Sequence, residues 1–421
     1  MSGTDVRFFA ESAHVLRRDY RPGAQPVAGT VHRRGSCTET HDGRGHVAHR
    51  FNDVHTPPTG PGRRVAPEVA QAALDAWEQP LFTPDERVDK VLSELARAGG
   101  VDITLACLHQ HVVAGTEEAV VPDERLVCTV EVSAATEPGQ ACSEVVPWPT
   151  TLDPAVAGEA VARAAETVLE RRALPLVRQL PDRCDLVLLP GRGGSFFHEL
   201  IGHPMEADIV LSATSYLSAR QGQRIAPEWL TAVDGACGPG DGFRAAIDDE
   251  GTVSRNARLV DGGVVGEAMT DLATAGLLGV SANGHGRRLD YRHPAVPRMT
   301  HTRALIEGDP EPRTPHGPWI APLDLQLLTM NIATGEFHFR SSAPLLHHPD
   351  GRAYRLPPLD LRGQGTSALA GLEPYDPASR DYGRASKGCG KLGQFPLVVS
   401  FANAGVLLPA GLLDLREARD E

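Results

Sequence analysis

The chain is 421 residues long, with 54 acidic and 41 basic side chains and a formal net charge of −13 when histidine is neutral. That balance supplies no phosphate-neutralising surface, which argues against nucleic acid or an anionic membrane as a partner. A hydrophobic fraction of 41% is enough for a sizeable core, and at roughly 100 to 200 residues per domain two domains are expected rather than a disordered chain.

The opening stretch, MSGTDVRFFAESAHVLRRDYR, scatters its charges and has no continuous apolar run, so it does not read as a secretory leader. The first sixty residues alternate short β-like runs with Gly/Pro turns and carry His32, His41, His46, His49 and His55. Their spacings match no common metal-ligand pattern, and they read as exposed loop histidines. From Val65 the pattern turns helical. VAPEVAQAALDAWEQ and TPDERVDKVLSELARAGG place apolar residues three and four apart, the second between a Thr-Pro-Asp-Glu start and a Gly-Gly stop. The runs VDITLACL, HVVAGTEEAV and ERLVCTVEVSAA then predict a meander of antiparallel strands. After the proline-rich VVPWPTTLDP, the longest helix is predicted from Asp153 to about Ala173, rich in strong helix formers. Pro175 and Pro181 mark the expected boundary between an N-terminal α+β domain, residues 1–180, and a C-terminal domain, residues 181–421.

The second half is mostly strand and turn. CDLVLLPG reads as a buried strand, DDEGTVSRNARLVDGGVVGEAM as two strands with Asp-Glu-Gly and Asp-Gly-Gly turns, and MNIATGEFHFRSSAPLLHHPDGRAYRLP as two hairpins. QFPLVVSFANAGVLL closes the series. The most apolar tract, Pro396 to Leu415, is interrupted by Ser400, Asn403, Pro409 and Asp414, too broken for the about 20 apolar residues that span a bilayer. The expected fold class is α+β: an N-terminal α+β domain, then a mainly antiparallel β domain that carries a short functional helix.

That helix lies in GRGGSFFHELIGHPMEAD, residues 191–208, which contains His198, Glu199 and His203 as HExxxH. Histidines five residues apart on an ideal helix point about 140° away from each other, too far to share an ion. Convergence requires a widened turn or a helix that ends there, and Gly202 and Pro204 make either inexpensive. Glu199, four residues before His203, is placed to take a proton from a water without being a ligand. Packing of both histidines into a core helix is the competing reading. A metal site needs a third donor, and the best candidate is Cys389 in RASKGCGKLGQ, where glycines allow close approach and Lys387 and Lys391 favour the thiolate. Glu206 and Asp208 follow the helix and are candidates to orient the histidine rings. The seven cysteines, at positions 37, 107, 128, 142, 184, 237 and 389, form no CxxC pair and read as mostly isolated thiols of a cytoplasmic, reducing compartment rather than a disulfide framework.

The blocks LLPGRGGSFFHELIGHPMEAD, NGHGRRLDYRHPAVPRMTHT, NIATGEFHFRSS and GCGKLGQ, in that order and spacing, resemble the TldD/PmbA metalloprotease family, historically called modulators of DNA gyrase, and specifically its metal-bearing TldD branch. The resemblance implies that His198, His203 and Cys389 bind zinc or a similar ion, with iron left open by the residue types, and that Glu199 is the catalytic base. It implies a peptidase acting on unfolded or flexible peptides, with maturation of a modified peptide as one such role, and a dimer formed with a copy of itself or with a PmbA/TldE-type paralogue. Arg287, Arg288, His293 and Arg298 fall in one of the shared blocks and are candidates to line the substrate channel. Pro204, the aromatic pair Phe196 and Phe197, and the proline-rich APLLHHPDGRAYRLPPLDLRGQG depart from the family pattern, which bears on the substrate. A tailoring enzyme acting on a small metabolite and a non-catalytic scaffold subunit are the alternatives.

Overall fold

The computed structural model describes residues 5–42, 47–53, 72, 74, 75, 77, 86–116, 118–137, 140–148, 154–235, 242–376, 384, 385 and 388–418. Its first half is one antiparallel sheet. The strands are β1 (Asp5–Tyr20), β2 (Val27–His41), β3 (Val47–Asp53), β4 (Asp102–Gly115), β5 (Val120–Glu137) and β6 (Gln140–Trp148), in the order β3-β2-β1-β4-β5-β6. Two helices pack on one face: α1 (Glu86–Gly99) and α2 (Pro154–Ala173). On α1 the buried residues Val88, Leu92 and Ala96 recur every four positions and form one stripe. They meet Ile103, Leu105 and Val130 of the sheet and Val161 and Val168 of α2. The opposite face, with Phe9, Ala13, Leu108 and Val112, is covered by Phe243, Ala245, Ile247 and Tyr291 of the second half.

Burial on both faces explains where the strand expectations differ from the fold. VDITLACL and HVVAGTEEAV read as separate runs because polar residues intervene, yet they belong largely to one 14-residue strand, β4. His109 and Gln110 continue the ladder because each finds a partner: His109 Nε2 lies 2.7 Å from Glu124, and Gln110 donates to Glu11 at 2.6 Å. The N-terminal histidines are likewise corrected from loop to strand. His32 and His41 lie on β2 and His49 on β3, and His41 is buried. His46, His55 and most of the helix expected at 65–79 lie outside the described residues. The expectation of mostly isolated thiols meets one exception. Cys107 and Cys128 sit directly opposite each other on β4 and β5, with Cα atoms 4.1 Å apart, and are joined by a disulfide. Such a pair is set by strand register, which cysteine spacing does not reveal. Cys37, Cys142, Cys184 and Cys389 are free and buried, and Cys237 lies outside the described residues.

The second half contains two six-stranded sheets whose strands come from distant parts of the chain. One runs Val264–Val265, Ala257–Asp261, Leu230–Asp234, His301–Ile306, Ser400–Asn403, Arg384–Ala385; the other runs Ala353–Arg355, Leu345–His347, Trp319–Ala321, Asp185–Leu188, Gly405–Leu408, Glu373–Asp376. Each is antiparallel apart from one parallel pair, His301–Ile306 with Ser400–Asn403 and Trp319–Ala321 with Asp185–Leu188. A four-stranded sheet holds the hairpin Gln326–Met330/Glu336–Ser341. One continuous core, including Leu188, Phe197, Ile201, Leu230, Leu259 and Val406, joins these sheets around the HExxxH helix. The fold is α+β, mostly sheet with few helices. Among the described residues no helix is long and apolar enough to cross a membrane.

Candidate metal centre

The strand Asp185–Leu188 leads through a turn at Gly191, whose φ of +72° suits glycine, into the helix Gly194–Phe197. Asn403 fixes this entry. Its side-chain oxygen accepts from Gly193 N at 2.8 Å and its carbonyl accepts from Gly191 N at 2.9 Å. Phe196 and Phe197 are buried, and Phe196 meets Phe337 edge-on with centroids 5.6 Å apart, so the aromatic pair anchors the helix in the core. From His198 to Gly202 the helix widens into a π turn, with His203 N donating to His198 O, and His203–Met205 then tightens to a 3-10 turn. The widening puts residues five apart on one side. The imidazole centroids of His198 and His203 are 5.1 Å apart. Gly202 keeps ordinary helical angles there. Its role is close approach rather than backbone freedom, since a Cβ at that position would sit 2.0 Å from Met299 Sδ.

Cys389 arrives from the far end of the chain on the hairpin Cys389–Lys391/Gln394–Leu397. Gly388 precedes it at φ +112°, and a Cβ there would meet Pro396 at 2.2 Å. The Cys389 Sγ is 3.2 Å from His203 Nε2, and one donor atom from each of His198, His203 and Cys389 lies within 4.8 Å of the others. Glu199 Oε2 lies 3.8 Å from His203 Nε2, on a side chain that retains 17% exposure.

Each ring is oriented from behind. His203 Nδ1 is 3.1 Å from Glu206 Oε2, which accepts its proton and leaves Nε2 facing Cys389. His198 Nδ1 is 3.3 Å from Thr302 Oγ1, whose own hydroxyl donates to Asp234 Oδ2 at 2.6 Å. With its proton committed to Asp234, Thr302 accepts from Nδ1 and likewise leaves Nε2 of His198 free. Asp234 is fully buried, accepts from Thr300 N at 2.7 Å and lies 3.3 Å from His285 Nε2. Burial works against its charge, but His285, Thr302 and Thr300 hold its carboxyl below the ordinary value.

The electrostatics suit a cation. Burial opposes charge on Cys389, yet the imidazoles of His203 and His198 hold its thiol well below the usual cysteine value. Burial likewise opposes charge on His203, and Cys389 and Glu206 outweigh it, holding the ring well above the usual histidine value. The negative potential that draws a proton onto His203 would equally draw a divalent ion. Two imidazoles and a thiolate are the donor set of a zinc-like ion and leave one position open.

The remaining candidates separate into two groups. Glu206 and Lys391 surround the site: Lys391 Nζ lies 3.1 Å from Glu206 Oε2 and 2.6 Å from Asp208 Oδ1, so Asp208 holds the lysine rather than a ring. Arg298, fully buried, places Nε 3.9 Å from Glu206 Oε1. Lys387 lies outside the described residues. Arg287 and Arg288, candidates for the substrate channel, are both buried. Arg287 donates to the carbonyls of Met299 and Val398, and Arg288 is buried against Glu39 of β2 at 3.1 Å. His293 sits half-buried on a turn, with Nδ1 2.8 Å from Asp290. Thr302, Asp234 and His285 were not anticipated. His285 and Thr302 do fall in the block NGHGRRLDYRHPAVPRMTHT, but nothing in their spacing points to His198.

Residues 181–314 match the family profile described as the PmbA/TldA metallopeptidase C-terminal domain. The chain is 31% identical over 248 residues to a metalloprotease of Synechocystis sp., covering 57% of this chain and 51% of the relative. It is 36% identical over 120 residues to a Metalloprotease TldD homolog of Buchnera aphidicola, covering 28% of this chain and 25% of the relative. A Zinc metalloprotease TldD homolog of Saccharolobus solfataricus matches at 27% over 237 residues, 52% of this chain and 48% of the relative. The matched segment thus spans a quarter to about half the length of these curated relatives. Among solved structures, TldE from Thermococcus kodakarensis has the same fold, with a TM-score of 0.67 at 14% identity over 97% of this chain and 96% of that one.

Proposed function

Because the chain belongs to the TldD/PmbA family, we propose that it is a metal-dependent peptidase in which His198, His203 and Cys389 hold a zinc-like ion and Glu199 is the catalytic base. The observation that carries this reading is the convergence of three donors from residues 198 to 389 beside a half-buried carboxylate. An ion held there supplies Lewis acidity to the scissile carbonyl and the attacking water. The protein supplies the rest. Glu206 and the Thr302–Asp234 pair keep both Nδ1 protons in place, so His198 and His203 present fixed Nε2 donors. Glu199 takes the proton of the attacking water and delivers it to the leaving amine nitrogen.

The substrate proposed is an unfolded or flexible peptide held through its main chain along a strand edge, an arrangement that gives affinity with little sequence selectivity. Family membership supports a two-subunit assembly, with a copy of this chain or a PmbA/TldE-type paralogue.

Digestion of unstructured peptides in H2 18O, read by mass spectrometry, tests the activity. The expected result is internal cleavage with 18O in each new carboxylate, stopped by a chelator and restored by Zn2+. Intact peptides after incubation with zinc-loaded protein, alone and with its paralogue, would remove the peptidase reading.

A further inference from the structure

The first half of the molecule contains a second convergence of donors, remote in sequence from the HExxxH helix. Along a strand, residues two apart project from the same face, so His109 and His111 of β4 stand side by side. Register places Glu124 of β5 directly opposite His111. Both rings aim Nε2 at one carboxylate oxygen: Glu124 Oε1 lies 2.7 Å from His109 and 3.8 Å from His111. The rings stand 4.9 Å apart at 86°, and the three donor atoms all lie within 4.8 Å of one another.

We propose that His109, His111 and Glu124 form a second metal site, which takes a borderline divalent ion such as Zn2+ and clips β4 to β5. Burial is graded in the way such a site needs. His109 and His111 are 5% and 3% exposed, whereas the Glu124 side chain keeps 44% exposure and leaves the rim open to an entering ion. His111 Nε2 has no hydrogen-bond partner, and an orphaned buried nitrogen is costly unless something occupies its lone pair or proton. Trp77 stacks on the His111 ring at 4.1 Å and fixes its plane. Two imidazoles and a carboxylate suit zinc better than a hard ion such as Ca2+.

A third group, Glu39, His41 and Glu250, also gathers donor atoms within 4.8 Å. Arg288 already pairs with Glu39 there at 3.1 Å, and its guanidinium would repel a cation.

Zinc stoichiometry of the full chain, stripped by chelator and reloaded with Zn2+ alone, tests the site. The variant is His111→Phe, which keeps a ring against Trp77 but removes the donor; circular dichroism verifies its fold, and Glu124→Gln is the second variant if His111→Phe does not fold. The expected result is one equivalent fewer zinc ions in either folded variant than in the wild type. The same difference is expected in a His198→Ala, Cys389→Ala background, so the readout stands whichever way the HExxxH site behaves. Equal zinc content in wild type and folded variant would overturn the proposal.

Discussion

In the first half each strand pairs with its neighbour in sequence, apart from the β1–β4 contact that encloses β2, β3 and α1. In the second half a strand at residues 185–188 pairs with strands at 319–321 and 405–408. The difference decides how functional side chains meet. Local pairing lets β4 and β5 bring His109, His111 and Glu124 together from 16 consecutive positions, 109 to 124. Interleaved pairing brings Cys389 to His198 and His203, nearly two hundred residues away, and holds them with Asn403 at the helix entry and Thr302 behind the ring. A change in the first half should therefore act on stability, and a change in the second on the site.

The comparison breaks most sharply at Glu199. Glu199→Gln is expected to lower kcat by about 10³-fold, within the usual range for a general base, with unchanged zinc content and melting temperature. Retained activity would place the base elsewhere.

The seam between the halves is next. Arg288 reaches from the second half to Glu39 on β2, both fully buried. Arg288→Ala removes the main counter-charge of that carboxylate and should cost about 3–5 kcal/mol in denaturant unfolding. A loss under 1 kcal/mol would mean that the seam contributes little.

Acid unfolding probes the same pair. Burial would raise the Glu39 carboxyl, but Arg288, His49 and Ala295 N hold it at about 2, below its ordinary value of 4.5. A depressed carboxylate stabilises the fold above its unfolded value, and that stability is lost as pH falls from about 4.5 toward 2. Glu39 should contribute about 3 kcal/mol to this slope. Glu39→Gln should flatten the slope over that window, and an unchanged pH profile would remove Glu39 as its source.

Leu92, fully buried on α1, is a control for the first half. Leu92→Ala should cost about 3 kcal/mol of stability while kcat stays within twofold. A large kcat change would show coupling between the halves. The smallest effect expected is at Asp234. Asp234→Asn loosens Thr302 behind His198 and should weaken zinc binding about tenfold, by isothermal titration.

Much of the chain's local structure was legible. Periodicity located α1 and helix-forming composition located α2, and the i, i+5 spacing of the histidines called for a widened turn or a helix end; a widened turn runs from His198 to Gly202. Features set by long-range packing were not. Gly202 looks like a flexible point in sequence, but its lack of a side chain serves Met299, 97 positions later. Arg287 and Arg288 carry charges that suggest a substrate-facing strip, yet backbone carbonyls and Glu39 absorb them. Asp234, His285 and Thr302 form one buried chain behind His198, and no pattern in sequence joins residues 234, 285 and 302. Cys389 drew notice through its glycine and lysine neighbours, while its distance from His203 depends on the hairpin and on Gly388.

The central proposal, one ion shared by two histidines and a thiolate, is tested most directly by zinc content and peptide cleavage measured together on wild type, His203→Ala and Cys389→Ser. Each variant should lose one equivalent of zinc and all detectable cleavage while remaining folded. Unchanged zinc with undiminished cleavage in either folded variant would contradict the site.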